Sequence, residues 1–130
     1  MKKISRNIQI ALGIVAALWL VHLLNLFSPV DLRIYGLRPR HIGGLWGIAF
    51  APLLHGGIDH LIANSGALFI LLVVSLSFSR KLAFTALSII LVFGGGFVWL
   101  FGAGDTVHIG ASVIIFGLIG FLMFLGIFRG

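Results

Sequence analysis

The sequence predicts an all-α membrane protein, a single domain over residues 1–130. It is expected to have four transmembrane helices, a structured interfacial loop after the first and a re-entrant loop before the fourth. Three observations carry that prediction. Of the 130 residues, 60% are hydrophobic and only 9% are charged, with a mean hydropathy of +1.20, whereas soluble domains carry about 25% charged residues. The apolar residues gather into four runs of spanning or near-spanning length. The charges between those runs divide unevenly between the two sides that such a layout creates.

Taken in order, Lys2, Lys3 and Arg6 precede an apolar run over residues 8–27. Its 20 residues exceed the roughly 7–15 of a signal-peptide core, and no small-x-small cleavage site follows. It is therefore expected to remain as a helix of about 30 Å, the thickness of the hydrocarbon layer. His22, within it, is expected to pack against another helix. Residues 28–54 hold Pro29, Pro39, Pro52 and the cluster Gly43-Gly44-Leu-Trp46-Gly47. Leu45, Ile48, Ala49 and Phe50 make this stretch too apolar for a solvated linker, and its tryptophan and glycines point to a structured loop in the membrane interface. Arg33, Arg38 and Arg40 would keep it near phosphate headgroups.

The second helix is predicted over 58–78, entered through the turn Gly56-Gly57 and left through the basic turn Ser79-Arg80-Lys81. The third covers 82–101 and is interrupted by Gly94-Gly95-Gly96. Such glycines cost helix propensity but let membrane helices approach closely, so tight packing is their expected role. Residues 102–111 are polar and glycine-rich and are expected to be non-helical. The last run, 112–128, has 17 residues and spans about 25 Å, short of the roughly 30 Å needed. If it reaches the far face, its first residue, Ser112, lies below the near one, and the preceding loop dips in with it. Irregular backbone at that depth is tolerated only where protein buries it or water fills a cavity.

Charge orients the layout. Lys2, Lys3, Arg6, Arg80, Lys81 and Arg129 fall on one side, while Asp31, Asp59 and Asp105 balance Arg33, Arg38 and Arg40 on the other. The positive-inside rule then puts both termini in the cytoplasm and opens His55, His60, His108 and Ser112 toward the outer face. The net charge of +6 thus reads as topology. No dense Lys/Arg patch interleaved with aromatics speaks for nucleic acid. With no cysteine, disulfides and thiolate zinc sites are excluded.

Two polar clusters stand out in this apolar chain. In His55-Gly-Gly-Ile-Asp-His60-Leu-Ile-Ala-Asn64, His60 and Asn64 lie one helical turn apart on one face, at the entry to a stretch, 61–78, without charge. Polar side chains in a membrane span line a site or bond neighbouring helices, because lipid offers them no partner. The second cluster is His108-Ile-Gly-Ala-Ser112. A metal could draw on His55, Asp59, His60 and His108, yet there is no His-Glu-x-x-His, and the His55/His60 spacing does not place both on one helical face. No metal and no cofactor are expected. For acyl transfer, Ser112 would be the nucleophile at a helix start, where free N–H groups face an oxyanion, and Asn64 could donate to the same anion. Gly-x-Ser alone is a weak signal. After a re-entrant loop, and paired with His-x-x-x-Asn on another span, it is much stronger.

At these residues the sequence resembles the rhomboid family of intramembrane serine proteases. The likeness covers the stretch from His55 to Asn64, Gly110-Ala-Ser112-Val-Ile-Ile-Phe116-Gly117-Leu-Ile-Gly120, and the loop residues Tyr35-Gly-Leu-Arg-Pro39-Arg. It implies a rhomboid-like helical bundle, with Ser112 as nucleophile and Asn64, His60 and the Ser112 backbone N–H as the oxyanion hole. Phe116 matches the aromatic on which the family's catalytic histidine rests. Transmembrane proteins are the implied substrates and membrane lipid the surroundings, in a multi-pass protein expected in a bacterial inner membrane.

Two departures shape the expectation. Val113 stands where the family has a second glycine after the serine, and is expected to hold the serine helix away from the helix that carries the histidine. That catalytic histidine lies on a sixth span in the family, whereas no histidine follows Ser112 here. Residues 1–130 are accordingly expected to be the N-terminal portion of a rhomboid core, catalytically incomplete as they stand. The alternative from another class is a non-catalytic rhomboid-like protein that binds transmembrane segments. A small metal-binding or transport protein would be supported by inverted repeats, and none is visible.

Overall fold

The structure, a computed structural model, describes residues 2–129. Met1 and Gly130, the ends of the expected domain, and the side chains of Lys3 and Arg129, two of the expected basic-side charges, lie outside the described residues. The elements are α1 (Lys2–Phe27), α2 (Gly47–Phe50), α3 (Ile58–Phe78), α4 (Arg80–Ile89), α5 (Gly95–Phe101) and α6 (Ser112–Arg129). Short 3-10 turns at Leu32–Tyr35, Ile42–Trp46 and Ala51–Leu53 give the loop between α1 and α3 its structure. Among the described residues there is no strand, only a bridge between Leu37 and His108.

Among the described residues, three helical stretches are long and apolar enough to cross a membrane: Ile4–Phe27, Ile58–Phe78 and Arg80–Phe101. The chain is thus a multi-pass membrane protein. The apolar part of α6, Ser112–Phe128, is shorter than these three. Large side chains such as Leu24, Phe93, Phe97 and Ile127 face outward, as a surface solvated by lipid requires. The third span differs from expectation at its glycines. Gly94-Gly95-Gly96 do not interrupt it, because a π-turn over Ile90–Gly94 carries α4 into α5 without a break.

Local chemistry sets the helix ends. Asp59 sits in the first turn of α3, where a carboxylate favours the positive end of the helix dipole. Ser79 alone separates α3 from α4, and its hydroxyl accepts from Leu82 N at 3.2 Å as the N-cap of α4. That single extended residue folds the two helices back on each other.

α3 is the central helix and packs against α1, α4 and α6. Its Leu61, Leu68, Leu72 and Leu76 recur at helical spacing and are all buried, meeting Ala11 and Leu18 of α1, Ala83 of α4, Ala111 just before α6, and Ile115 and Leu118 within it. Polar bonds tie α1 to α3 and to the start of α4. Trp19 Nε1 donates to Ser65 Oγ at 2.9 Å, and at the opposite end Arg80 Nε donates to Asn7 Oδ1 at 2.8 Å.

The loops at the α3 entrance form one platform. Leu37 and His108 exchange both backbone bonds, at 2.9 and 2.8 Å, which ties the first loop to the one before α6. Arg40, with φ 61, donates from its backbone N to Trp99 O and from its guanidinium to Leu100 O and Gly102 O, each at 2.9 Å. It thereby caps the carbonyl end of α5. A Cβ on Gly47 would collide with the backbone of Leu37, so this crossing admits only glycine.

Candidate active site

Ser112 opens α6, and the turn before it explains the Gly-x-Ser pattern. Gly110 has φ +107, a conformation L side chains rarely adopt, and its N–H is anchored to Ala51 O at 2.8 Å. Ala111 is fully buried, and Ser112 is left exposed at the helix start. The first-turn N–H groups of such a helix lack intrahelical acceptors.

Across from it, buried Leu61 fixes the entrance of α3 with His60 and Asn64 on either side of it in sequence. A pocket of about 320 Å³ is lined by His55, Gly56, His60, Asn64, Ile109, Gly110 and Ser112. The three site residues expected from sequence, Ser112, His60 and Asn64, therefore line one cavity although they come from two helices. His60 and Ser112 are exposed there and Asn64 is half-buried.

Sequence reasoning did not assign His55 a place in this acyl-transfer site. It is 4% exposed, and Asn64 Nδ2 donates to its Nε2 at 2.9 Å. An amide nitrogen only donates, so Nε2 must accept and the ring proton sits on Nδ1. That Nδ1, like Nδ1 of His22, is buried, and the group that favours a proton on the His55 ring is the Leu53 backbone, at a geometry short of a regular hydrogen bond. Burial of the ring pushes the His55 pKa below its ordinary 6.5, the Leu53 backbone opposes this, and nearby His22 and His60 add to it. The only sequence signal was its position at the head of the polar stretch.

His108 shares a neighbouring pocket with Ser112, but its ring is engaged elsewhere. Its Nε2 pairs with Thr106 Oγ1 at 3.1 Å, and its backbone is held by Leu37. Among the described residues no histidine hydrogen-bonds Ser112, and no three His, Asp or Glu side chains converge as a metal would need.

Val113 packs against the third span. A Cβ on Gly94 would stand 2.7 Å from Val113 Cγ1, so the valine fills the space which that glycine leaves on the third span. One turn on, Gly117 leaves room for Ile90, whose Cγ2 would be 2.5 Å from an added Cβ. Knob and hole are exchanged between the two helices. Phe116, 72% exposed, faces away from the core.

A helical membrane bundle with a serine at a helix start, facing a histidine and an asparagine across a pocket, is the class that fold and site define. The sequence profile of the rhomboid domain matches residues 43–129, and the chain belongs to the rhomboid family. It is 44% identical to an uncharacterized protein of Mycobacterium tuberculosis strain H37Rv, over 90% of this chain and 51% of that one. An uncharacterized Mycobacterium leprae protein is 39% identical over 90% of this chain and 49% of its own length. A Bacillus subtilis protein provisionally named as a rhomboid protease, YdcA, is 33% identical over 91% of this chain and 61% of its own. The chain spans about half the length of the mycobacterial relatives. No solved structure matches significantly.

Proposed function

We propose that this chain is the serine-bearing portion of a rhomboid intramembrane serine endopeptidase that hydrolyses peptide bonds of transmembrane substrates near the outer membrane face. The observation that carries this reading is the single pocket shared by Ser112, His60 and Asn64. Helix binding alone would need none of the three.

In this reading the Ser112 hydroxyl attacks the scissile carbonyl and passes its proton to a general base. The oxyanion that forms is met by Asn64 Nδ2–H, His60 and the Ser112 backbone N–H. The intermediate collapses as the base returns the proton to the leaving amine, and a water repeats the sequence to free the acyl group. The base comes from outside residues 1–130. Asn64 engages His55 Nε2, Thr106 engages His108 Nε2, and His60 serves the anion. The mycobacterial relatives, about twice the matched length, have room for such a residue. The chain crosses a bacterial inner membrane four times with both termini cytoplasmic, the fourth crossing being α6, which leaves Ser112 below the outer surface. What supports this layout is the excess of Lys and Arg on one side and the short apolar run of α6.

The test is a chimera of residues 1–130 with the C-terminal half of the Mycobacterium tuberculosis relative. It should cleave a transmembrane reporter, and Ser112→Ala should abolish cleavage. Residues 1–130 alone should be slower by several orders of magnitude, the usual cost of losing a general base. A second reading, a non-catalytic rhomboid-like protein that binds transmembrane segments, is favoured by Val113 in the family's glycine position. A folded chimera that binds the reporter without cutting it would establish that reading.

A further inference from the structure

His55 is the most deeply buried side chain of the pocket, and neither the nucleophile nor the anion donors account for it. Its bond to Asn64 joins residues nine apart in sequence, across the glycine turn that leads into α3. The chemistry of the two groups makes that bond directional. A carboxamide can turn about its last side-chain bond, and its two faces differ only in which of nitrogen and oxygen points where. Against an unprotonated Nε2, the amide oxygen would set acceptor against acceptor, so only the nitrogen can face the ring.

The same nitrogen stands over the approach to the serine. A Cβ on Gly110 would be 3.8 Å from Asn64 Nδ2, and Gly110 and Ser112 line the same pocket. With one N–H of Asn64 given to His55, the second N–H of that nitrogen has a fixed direction. Were the amide turned over, its oxygen would occupy this position and present a lone pair to a developing anion.

We propose that His55 is a positioning residue: as the neutral Nδ1–H tautomer it selects the orientation of Asn64 in which the amide nitrogen, not the oxygen, serves the oxyanion. The proposal rests on the peptidase reading, and its two tests fail separately. The first needs no activity. In the 130-residue chain in detergent micelles, labelled with 15N-histidine and 15N-asparagine, two-bond proton–nitrogen correlations report the tautomer of His55. The expected result is a bare Nε2, a protonated Nδ1, and an Asn64→Ala variant that shifts the Nε2 resonance. A proton on Nε2, or a resonance that Asn64→Ala leaves in place, overturns the proposal.

The second test uses the cleaving chimera. His55→Leu removes the acceptor and should lower kcat about 100-fold, the scale of one lost oxyanion donor, with KM changed less than twofold. His55→Gln keeps an acceptor oxygen and should recover most of that loss, which a merely structural histidine would not allow. Equal rates in the leucine variant and the parent, or no recovery with glutamine in a folded protein, would overturn the positioning role. A parent chimera that never cleaves would count against the peptidase reading, while the tautomer measurement still decides the state of His55.

Discussion

The two helices that meet at the pocket are held in place by different physics. At the entrance of α3 the control is polar: Asn64 is bonded to buried His55, and Ser65 to Trp19. At the start of α6 it is shape. Gly110 hangs from Ala51 O, Ala111 is buried, Val113 fills the hollow at Gly94, and the Ser112 hydroxyl makes no side-chain hydrogen bond among the described residues. The donor half of the candidate site is thus oriented by hydrogen bonds, and the nucleophile half by backbone and steric fit. Perturbations should separate the two halves.

The largest effect is expected where shape control starts. Gly47 lets the first loop cross Leu37, and that loop carries Ala51, the anchor of Gly110. Gly47→Ala puts a methyl into backbone that cannot yield as a flexible side chain would. It should cost about 3 kcal/mol, the upper part of the usual overpacking range. Thermal unfolding in detergent would measure it. A variant within 1 kcal/mol of the parent, on the same about 1–3 kcal/mol scale, would mean the loop does not brace α6.

Next comes the exchanged knob and hole. Gly94→Ala should destabilise by about 1–2 kcal/mol through Val113, and Val113→Ala by about 1 kcal/mol through the void it leaves. The double variant should be more stable than the sum of the two predicts, by about 1 kcal/mol of coupling. Additive losses would show that the two residues do not touch. Val113→Gly, on sequence grounds alone, should let the serine helix close on a histidine helix. With the valine side chain turned toward Gly94, the same change instead loosens α6 against the third span.

That contrast marks what was legible in the sequence. Hydropathy located all four helices, because a period and a length suffice for that, and the glycine triplet rightly signalled close approach, Gly94 to Val113 and Gly95 to Ile48. Helix periodicity also put His60 and Asn64 on one helix face, and both line the pocket that Ser112 lines. The π-turn at Ile90–Gly94 was not legible, since one extra residue in a helical ladder leaves no mark on an apolar run. Neither was the direction of Val113, which depends on how α6 packs against the third span. The His55–Asn64 bond was hidden for a related reason: it crosses a non-helical turn, where spacing no longer fixes which side chains meet.

The polar half should answer to pH, and the sign follows from His55. Its folded pKa lies below the ordinary 6.5, because burial disfavours the charged ring. Above about pH 6.5 the ring is neutral whether folded or not, and stability does not depend on it. As pH falls below that value the unfolded chain takes up the proton more readily, and stability declines. His22 from α1 and His60 from α3 face the same ring, and Arg33 reaches Gly56 O at 3.5 Å, so the parent's profile includes their influence. His55→Leu should flatten the acid limb. A limb as steep in the variant as in the parent would show that His55 is not its source.

The smallest effect is expected at the bond between α1 and α3. Trp19→Phe removes the indole N–H that Ser65 Oγ accepts at 2.9 Å. The Ser65 hydroxyl keeps its own acceptor, Leu61 O at 2.6 Å, so no buried donor is stranded. Hydrogen bonds between membrane helices average about 0.6 kcal/mol, and the loss should be of that order. The more telling readout is local. Ser65 adjoins Asn64, yet Asn64 takes its direction from His55 on the other side of the turn. The Asn64 side-chain amide signals should therefore stay in place in Trp19→Phe and move in His55→Leu. If they move equally in both, the donor half is held by the first helix as much as by the buried histidine, and the division between hydrogen-bonded and shape-fitted halves would have to be redrawn around α1.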